Sequence, residues 1–179
     1  MCETERKMLM KKWLAMVLVA VMLVPSCGLA SGLDWLGGLT SLFSAAGNEY
    51  KPGETAEVDG LEITLTHVME SKGNSSNKPG KGNVFLLLEF KMKNTTKETA
   101  FISSLMCFSM FCDGRSTDLS TSALAVGMMN GKYQWDRAID AGKTETGIVA
   151  YEVPADWKEV KVTCTPELFG EGATFLVEK

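Results

Sequence analysis

The chain has 179 residues, of which 45% are hydrophobic and 22% are charged. These values are close to the averages for globular proteins, so they exclude a wholly disordered chain and leave room for one domain and a leader. Residues 1–26 contain four of the 18 basic and two of the 22 acidic side chains, so the remainder has 14 basic and 20 acidic side chains and a net charge of −6. An acidic surface repels phosphate backbones, which argues against nucleic acid as a partner.

The chain opens with the pattern of a secretory leader. Four basic residues, Arg6, Lys7, Lys11 and Lys12, precede an unbroken apolar run from Trp13 to Val24, and Pro25-Ser26 breaks that run. A bilayer-spanning helix needs about 20 apolar residues, so this run is too short for a transmembrane anchor. Basic, then apolar, then small is the order of a signal peptide, which we therefore predict for residues 1–26, with its apolar part helical.

Two cleavage sites compete at the end of this leader. The segment Val24 to Gly28 resembles the lipobox of bacterial lipoproteins, which predicts a lipidated N-terminus at Cys27. Gly28-Leu29-Ala30 offers an ordinary signal-peptidase site instead, which would extend the leader to residues 1–30. A lipid on Cys27 would hold the protein at the outer face of the cell membrane, whereas the second site would release it.

Residues 27–48 are predicted to form a flexible tether. The part from Ser31 to Asn48 is rich in glycine and serine, which favours an extended, mobile linker. Leu33, Leu36 and Phe43 could instead line one face of a short helix lying on the lipid surface. Both alternatives keep the folded domain within residues 49–179.

From Tyr50 onward the hydrophobic period changes to two, which indicates β-strands. Short runs rich in β-branched and aromatic residues are separated by turn signals such as Asp59-Gly60 and Asp113-Gly114. The predicted strands are 61–69, 83–94, 99–103, 106–112, 146–153, 159–164 and 174–179. Seven or more short antiparallel strands in about 130 residues predict an all-β sandwich or barrel with little helix.

Two connections stand out by composition or length. Ser71 to Asn83 is polar and basic, so it cannot form a packed core and is expected to be mobile. Residues 119–141 form a connection longer than most structureless loops. That length predicts either packing against the sandwich or a role in binding.

The strand and turn positions resemble a bacterial domain-of-unknown-function family in the superfamily of immunoprotective extracellular antigen-like, immunoglobulin-fold proteins. The resemblance rests on Tyr50–Thr55, Gly60–Leu65, Asn83–Phe90, Ala141–Lys143 and Pro166–Gly170, and it extends over the whole of 49–179. It implies an immunoglobulin-like antiparallel β-sandwich in exported proteins that are often lipoproteins. It implies no activity, because a fold alone does not supply one.

Catalytic and metal-binding patterns are missing from the sequence. His67 is the one histidine, and it alternates in phase with Leu61, Ile63 and Leu65, so we predict a core residue and no catalytic base. Zinc sites need about four nitrogen or sulfur ligands at close spacings, and neither C-x-x-C nor H-x-x-x-H occurs. We therefore expect a protein that is not an enzyme and that holds no cofactor or metal.

Three cysteines remain after Cys2 and Cys27 are set aside. Cys107 and Cys112 lie five residues apart in one predicted strand, a distance of about 17 Å. Disulfide Cα atoms lie within about 7 Å of each other, so these two cannot bond across a straight strand. Cys112 and Cys164 both share the phase of inward-facing residues, which leaves either a Cys112–Cys164 disulfide or two buried free thiols.

The pattern as a whole favours an exported, lipid-anchored interaction module of the bacterial cell envelope, with membrane lipid and a protein as its partners. Tyr133, Trp135 and Trp157 are the candidate contact aromatics, because aromatic residues are favoured at interfaces. Two alternatives stay open: an accessory domain of an envelope enzyme, and a structural or stress-related lipoprotein without a small ligand.

Overall fold

The computed structural model describes residues 49–167 and 170–179. The predicted signal peptide, the tether and Cys27 lie outside the described residues. In chain order the elements are β1 (Glu49–Tyr50), β2 (Thr55–Val58), β3 (Leu61–Ser71), β4 (Asn83–Asn94), β5 (Ala100–Ser103), β6 (Phe108–Cys112), β7 (Arg115–Thr117), α1 (Thr121–Met129), β8 (Asp136–Ile139), β9 (Thr144–Pro154), β10 (Glu159–Cys164) and β11 (Ala173–Glu178).

Two sheets stack face to face. One has five strands in the order β1-β11-β10-β6-β7, the other has four in the order β2-β3-β4-β9, and β5 and β8 form a separate two-stranded ribbon. The pairing is antiparallel except between β1 and β11, which run parallel. The predicted all-β, immunoglobulin-like antiparallel sandwich is thus confirmed.

Alternation of side chains builds the core between the sheets. In β10, Val160, Val162 and Cys164 are buried and the residues between them are partly exposed. The neighbouring strand β11 shows the same alternation of buried and partly exposed residues, because successive strand residues point to opposite faces of a sheet. The largest fully buried side chains include Phe90, Phe175, Tyr151 and Trp135.

Two Asp-Gly pairs close tight hairpins where the sequence predicted turns. Asp59 and Gly60 join β2 to β3 with φ values of 50° and 74°, and Asp113 and Gly114 join β6 to β7 with φ values of 48° and 75°. Positive φ at both central positions belongs to the type I′ turn, whose twist matches that of the flanking strands. Aspartate tolerates this left-handed conformation better than most side chains do, and glycine adopts it freely.

Strand β4 is buried on both faces. Its residues Val84 to Phe90 are all buried, whereas an edge or half-covered strand would alternate. One set of side chains faces the five-stranded sheet. The other set lies under α1, which packs against the outer face of β4 and β9.

A β-bulge in β3 changes the position predicted for His67. The register moves from Leu65 opposite Phe90 to His67 opposite Glu89, so one extra residue is inserted at Thr66. A one-residue insertion turns the following side chains to the other face. The prediction of a core histidine is therefore wrong: the His67 side chain is 65% exposed on the outer face of the four-stranded sheet.

The polar connection from β3 to β4 contains defined turns. The Asn74 side-chain oxygen accepts hydrogen bonds from the amides of Ser76 and Asn77 at 2.9 and 2.8 Å. The Glu152 carboxylate on β9 accepts from the Gly80 amide and the Asn83 side chain at 2.8 and 2.7 Å. These bonds tie the connection to the end of the sandwich opposite the Asp59-Gly60 turn.

Candidate interaction surface

The connection from 119 to 141 packs against the sandwich through α1. The helix begins after Ser120, whose hydroxyl accepts a hydrogen bond from the Ala123 amide at 3.2 Å and so caps the N-terminus. Its buried residues contact apolar side chains on the outer face of β4 and β9. This second apolar cluster consists of Phe85, Leu87, Ala123, Leu124, Val126, Ile148 and Ala150.

Gly127 sets the distance between helix and sheet. A Cβ atom at this position would lie 2.3 Å from Ile148 Cδ1 and 2.9 Å from Leu87 Cδ2. Such contacts are shorter than van der Waals packing allows, so the absence of a side chain lets α1 lie directly on the sheet. At nine residues, α1 is far too short to cross a bilayer, and no other described segment forms a helix of membrane-spanning length and apolarity.

The opposite side of this segment is apolar and exposed. Met128 is 53% exposed, Met129 is 71% exposed and Tyr133 is 64% exposed. We call these three residues the α1 surface. Exposed large apolar side chains of this kind are a feature of interaction sites.

Tyr133 is held by a neighbouring cation. The Arg137 guanidinium carbon lies 5.1 Å from the centre of the Tyr133 ring, which is cation–π geometry. Arg137 also forms an ion pair with Glu145 on β9, at 3.0 Å. The ring is therefore oriented by Arg137, which Glu145 of β9 holds in turn, and most of the Tyr133 side chain remains exposed to solvent.

A buried carboxylate fastens the end of this segment to the sheet. Glu89 on β4 is 6% exposed and points to the same face as Phe85 and Leu87. One of its oxygens pairs with the Lys132 ammonium, and the other lies 3.0 Å from His67 Nδ1. The Thr66 hydroxyl, at the bulge, donates to the Glu89 backbone carbonyl at 3.0 Å.

These partners keep Glu89 ionised. Burial raises the pKa of Glu89, but the hydrogen bonds and positive charges of Lys132 and His67 outweigh burial and leave the pKa below its ordinary value. Both oxygens of the buried Glu89 carboxylate thus have a partner. Lys132 is thereby fixed three residues after Met129 and next to Tyr133.

Of the three predicted contact aromatics, only Tyr133 is at the surface. Trp135 is fully buried and its ring packs over Gly147. Trp157 is 4% exposed, and its indole nitrogen donates to the Glu70 carboxylate at 2.6 Å. The prediction that Trp135 and Trp157 make external contacts is wrong, because both rings fill space at the edge of the core.

The three cysteines of the described residues, Cys107, Cys112 and Cys164, are buried and free. Cys112 lies opposite Val160, and Cys164 lies opposite Phe108, on the adjacent strands β6 and β10. The two thiols are thus four residues apart along the ladder, about 13 Å, which exceeds disulfide reach. The predicted alternative of a Cys112–Cys164 disulfide is wrong, and burial raises the pKa of both thiols, that of Cys164 strongly.

His67 does not meet a nucleophile. Its contact is with Glu89, whose carboxylate is shared with Lys132. Within residues 49–167 and 170–179, no three His, Cys, Asp or Glu side chains are grouped so that they could hold a metal ion. The arrangement is that of a structural ion pair, since a hydrolytic triad needs a hydroxyl or thiol on the free histidine nitrogen.

Sequence reasoning missed Glu89, Lys132 and the two methionines. Glu89 is the one charged residue in the apolar run from Val84 to Phe90. A carboxylate at a buried position needs a cation or a hydrogen-bond donor, which another segment of the chain has to supply. The exposure of Met128 and Met129 carries no such signal, because methionine is used both to fill gaps in cores and at binding surfaces.

Comparison with known proteins gives a family without an assigned role. A family model described as "Domain of unknown function (DUF4352)" matches residues 50–174. No curated protein matches the chain.

Solved bacterial structures share the fold at low sequence identity. The YjhA protein from Bacillus subtilis superposes with a TM-score of 0.56 at 16% identity, covering 72% of this chain and 99% of that one. A conserved hypothetical protein from Bacillus anthracis gives 0.50 at 18%, covering 70% and 95%. A candidate lipoprotein from Bacillus subtilis, YcdA, gives 0.55 at 18%, covering 69% of this chain but 38% of its own. At these identities the likeness shows the fold alone.

Proposed function

Because the chain belongs to the DUF4352 family of domains of unknown function, we propose that it is a non-catalytic interaction module, exported and held at the outer face of a bacterial membrane by lipid on Cys27. The α1 surface is its protein-binding site. The observation that carries this proposal is that Met128, Met129 and Tyr133 are exposed, whereas other residues of the same segment are buried against β4 and β9.

Helix α1 and the residues that follow it are held in place without a partner. Ser120 caps the helix, Gly127 brings it onto the sheet, and Lys132 is paired with buried Glu89. A surface that is already ordered loses little conformational entropy on binding. Methionine side chains adapt to the shape of a partner, and aromatic rings contribute large apolar area at interfaces.

Export and anchoring rest on the leader pattern of residues 1–30. The fold shared with a candidate lipoprotein agrees with this placement. Mass spectrometry of the mature N-terminus tests it directly. A diacylglyceryl group on Cys27 is expected, with Cys27→Ser moving the protein from the membrane to the medium, whereas an unmodified Ser31 terminus would show simple secretion.

The contact site needs a test that preserves the fold. Deletion of residues 119–141 is unsuitable, because it would expose Phe85, Leu87 and Ile148 to water. We suggest chemical cross-linking of the full chain in the producing cells, with wild type compared with a Met128→Glu/Met129→Glu variant. These side chains are exposed, so the double change should leave the fold intact.

The expected result is a discrete cross-linked protein that is lost in the double variant. The matched control is Phe111→Glu, which changes an exposed apolar residue on β6, in the five-stranded sheet, and should leave the cross-link in place. Equal cross-linking in the double variant and the wild type would refute the α1 surface as the contact site.

A second candidate function has one observation in its favour. This chain covers 38% of the longer YcdA chain, so a domain of this fold also occurs within a larger protein. An accessory role beside an envelope enzyme would follow the same pattern. Co-purification with an enzyme whose activity depends on this chain would favour that role over a free-standing module.

A further inference from the structure

A second apolar group lies away from the α1 surface. Phe101 on β5 is 63% exposed, and Leu105 and Met106, in the turn between β5 and β6, are 78% and 70% exposed. We call these three residues the β5–β6 tip. No charged side chain occurs from Thr99 to Cys112, and the paired strand β8 places Asp136 opposite Ser103 and Arg137 opposite Ile102.

The tip is held rigidly. The Cys107 amide donates to the Ser103 carbonyl at 2.9 Å, which closes the turn. Ser104 is 1% exposed, and its hydroxyl and amide donate to the Asp136 carboxylate at 2.9 and 3.1 Å. A turn anchored in this way projects Leu105 and Met106 outward instead of letting them fold back onto the domain.

The topology places this tip at the end where the chain enters the sandwich. Strand β1 runs parallel to β11, β11 is antiparallel to β10, and β10 is antiparallel to β6. Strands β1 and β6 therefore run in the same direction and start at the same end of the sheet. Glu49 and Phe108, the first residues of these two strands, lie at that end about 14 Å apart, which is three strand spacings.

We propose that the β5–β6 tip inserts into the lipid surface to which the chain is anchored. This inference rests on the proposed lipid anchor at Cys27. The tether predicted from the sequence runs from Cys27 to Asn48 and has 22 residues, and a flexible chain of that length would have a root-mean-square span of about 26 Å. The end of the domain that carries the tip is thereby held within reach of the bilayer, and three exposed apolar side chains there gain by leaving water.

The location favours lipid over a protein partner. The α1 surface lies on the outer face of the four-stranded sheet, and Met129 contacts Asn74 in the connection at the far end of β3 and β4. An anchored domain standing on the β5–β6 tip would thus present Met129 of the α1 surface away from the membrane. The two surfaces can be occupied at the same time.

Photo-cross-linking in cells tests the proposal on the full chain. A benzophenone side chain replaces Leu105 in one variant and Phe111 in a control, since Phe111 is also exposed and apolar but lies at the other end of β6. After irradiation, mass spectrometry measures phospholipid adducts in the membrane fraction. At least tenfold more adduct at position 105 than at position 111 is expected.

A second pair of variants separates insertion from proximity. With the probe in place of Phe101, Met106→Ser together with Leu105→Ser should lower the lipid adduct at least fivefold, whereas Met128→Ser with Met129→Ser should leave it unchanged. Adducts at position 105 that contain protein and no lipid would overturn the proposal. So would equal lipid adducts at positions 105 and 111.

A different experimental result is expected if the protein is not anchored through Cys27. If fractionation finds the chain only in the medium, the Cys27 anchor is wrong. The secreted protein carrying the probe is then mixed with phosphatidylcholine vesicles. Lipid adducts at position 105 but not at 111 would still support the tip, and their absence would overturn it.

Discussion

The indole ring of Trp135 lies flat on Gly147 of β9, so close that a Cβ atom at 147 would be 2.9 Å from both Cδ2 and Cε2 of the ring. Trp135 is fully buried, and its amide donates to the Ile148 carbonyl at 3.2 Å. The missing side chain at 147 thus allows the segment after α1 to close over the edge of the core.

Gly147→Ala should therefore lower the free energy of unfolding by about 1–3 kcal/mol, because a rigid ring must move to admit the methyl group. Urea denaturation measures the change. Gly127→Ala is the matched comparison. Its methyl would meet the terminal methyl groups of Ile148 and Leu87 and not a rigid ring, and alanine is the better helix former, so a smaller loss is expected. Equal losses at the two glycines would contradict this assignment.

Lys132→Met should destabilise the protein at neutral pH, because it removes the ammonium group that pairs with the buried Glu89 carboxylate. A loss of about 1–2 kcal/mol is expected, at the lower end for a buried pair because Lys132 is partly exposed to solvent. Lys93→Met, which breaks an exposed pair with Glu62, should cost less than about 1 kcal/mol.

The same pair sets a dependence on pH. The pKa of Glu89 in the folded protein is below its ordinary value of 4.5, so the carboxylate stabilises the fold above about pH 4.5. That stabilisation is lost as pH falls through the folded-state pKa. Unfolding measured at pH 7 and at pH 3.5 should show a larger acid-induced loss in wild type than in Glu89→Gln, and an identical loss in both would exclude Glu89 as a contributor.

Removal of the helix cap should loosen α1. Ser120→Ala deletes the oxygen that accepts from the Ala123 amide, and cap losses of this kind cost about 1 kcal/mol. Hydrogen exchange of the α1 amides is expected to speed up before that of β4. Thr121→Ala, at an exposed position one residue later, is the control and should leave exchange near the wild-type rate.

The thiols of Cys107, Cys112 and Cys164 should all be free. Alkylation without reductant in denaturant, followed by peptide mass spectrometry, should label each of the three. In the folded protein the reaction should be slowest at Cys164, which is fully buried with its pKa raised by burial. An unlabelled pair that becomes reactive after reduction would reveal a disulfide.

The sequence by itself determined the elements whose residues alternate. The predicted strands 83–94 and 159–164 coincide with β4 and β10, because buried and exposed positions take turns or form continuous apolar runs there. Asp59-Gly60 and Asp113-Gly114 predicted their turns for a local reason, since few residue pairs accept two positive φ angles. Helix α1 was not predicted, because its nine residues are too few to show a helical period clearly.

Only the tertiary structure decided which face each side chain uses. The β-bulge at Thr66 turned His67 out of the core, and the composition of β3 does not predict that one extra residue is inserted in the strand. Trp135 and Trp157 became core residues, and Tyr133 a surface residue, because chain segments far apart in sequence close over the first two. The pairing of Glu89 with Lys132 also depends on tertiary packing, because the two residues are 43 positions apart in the sequence and local sequence does not encode such a contact.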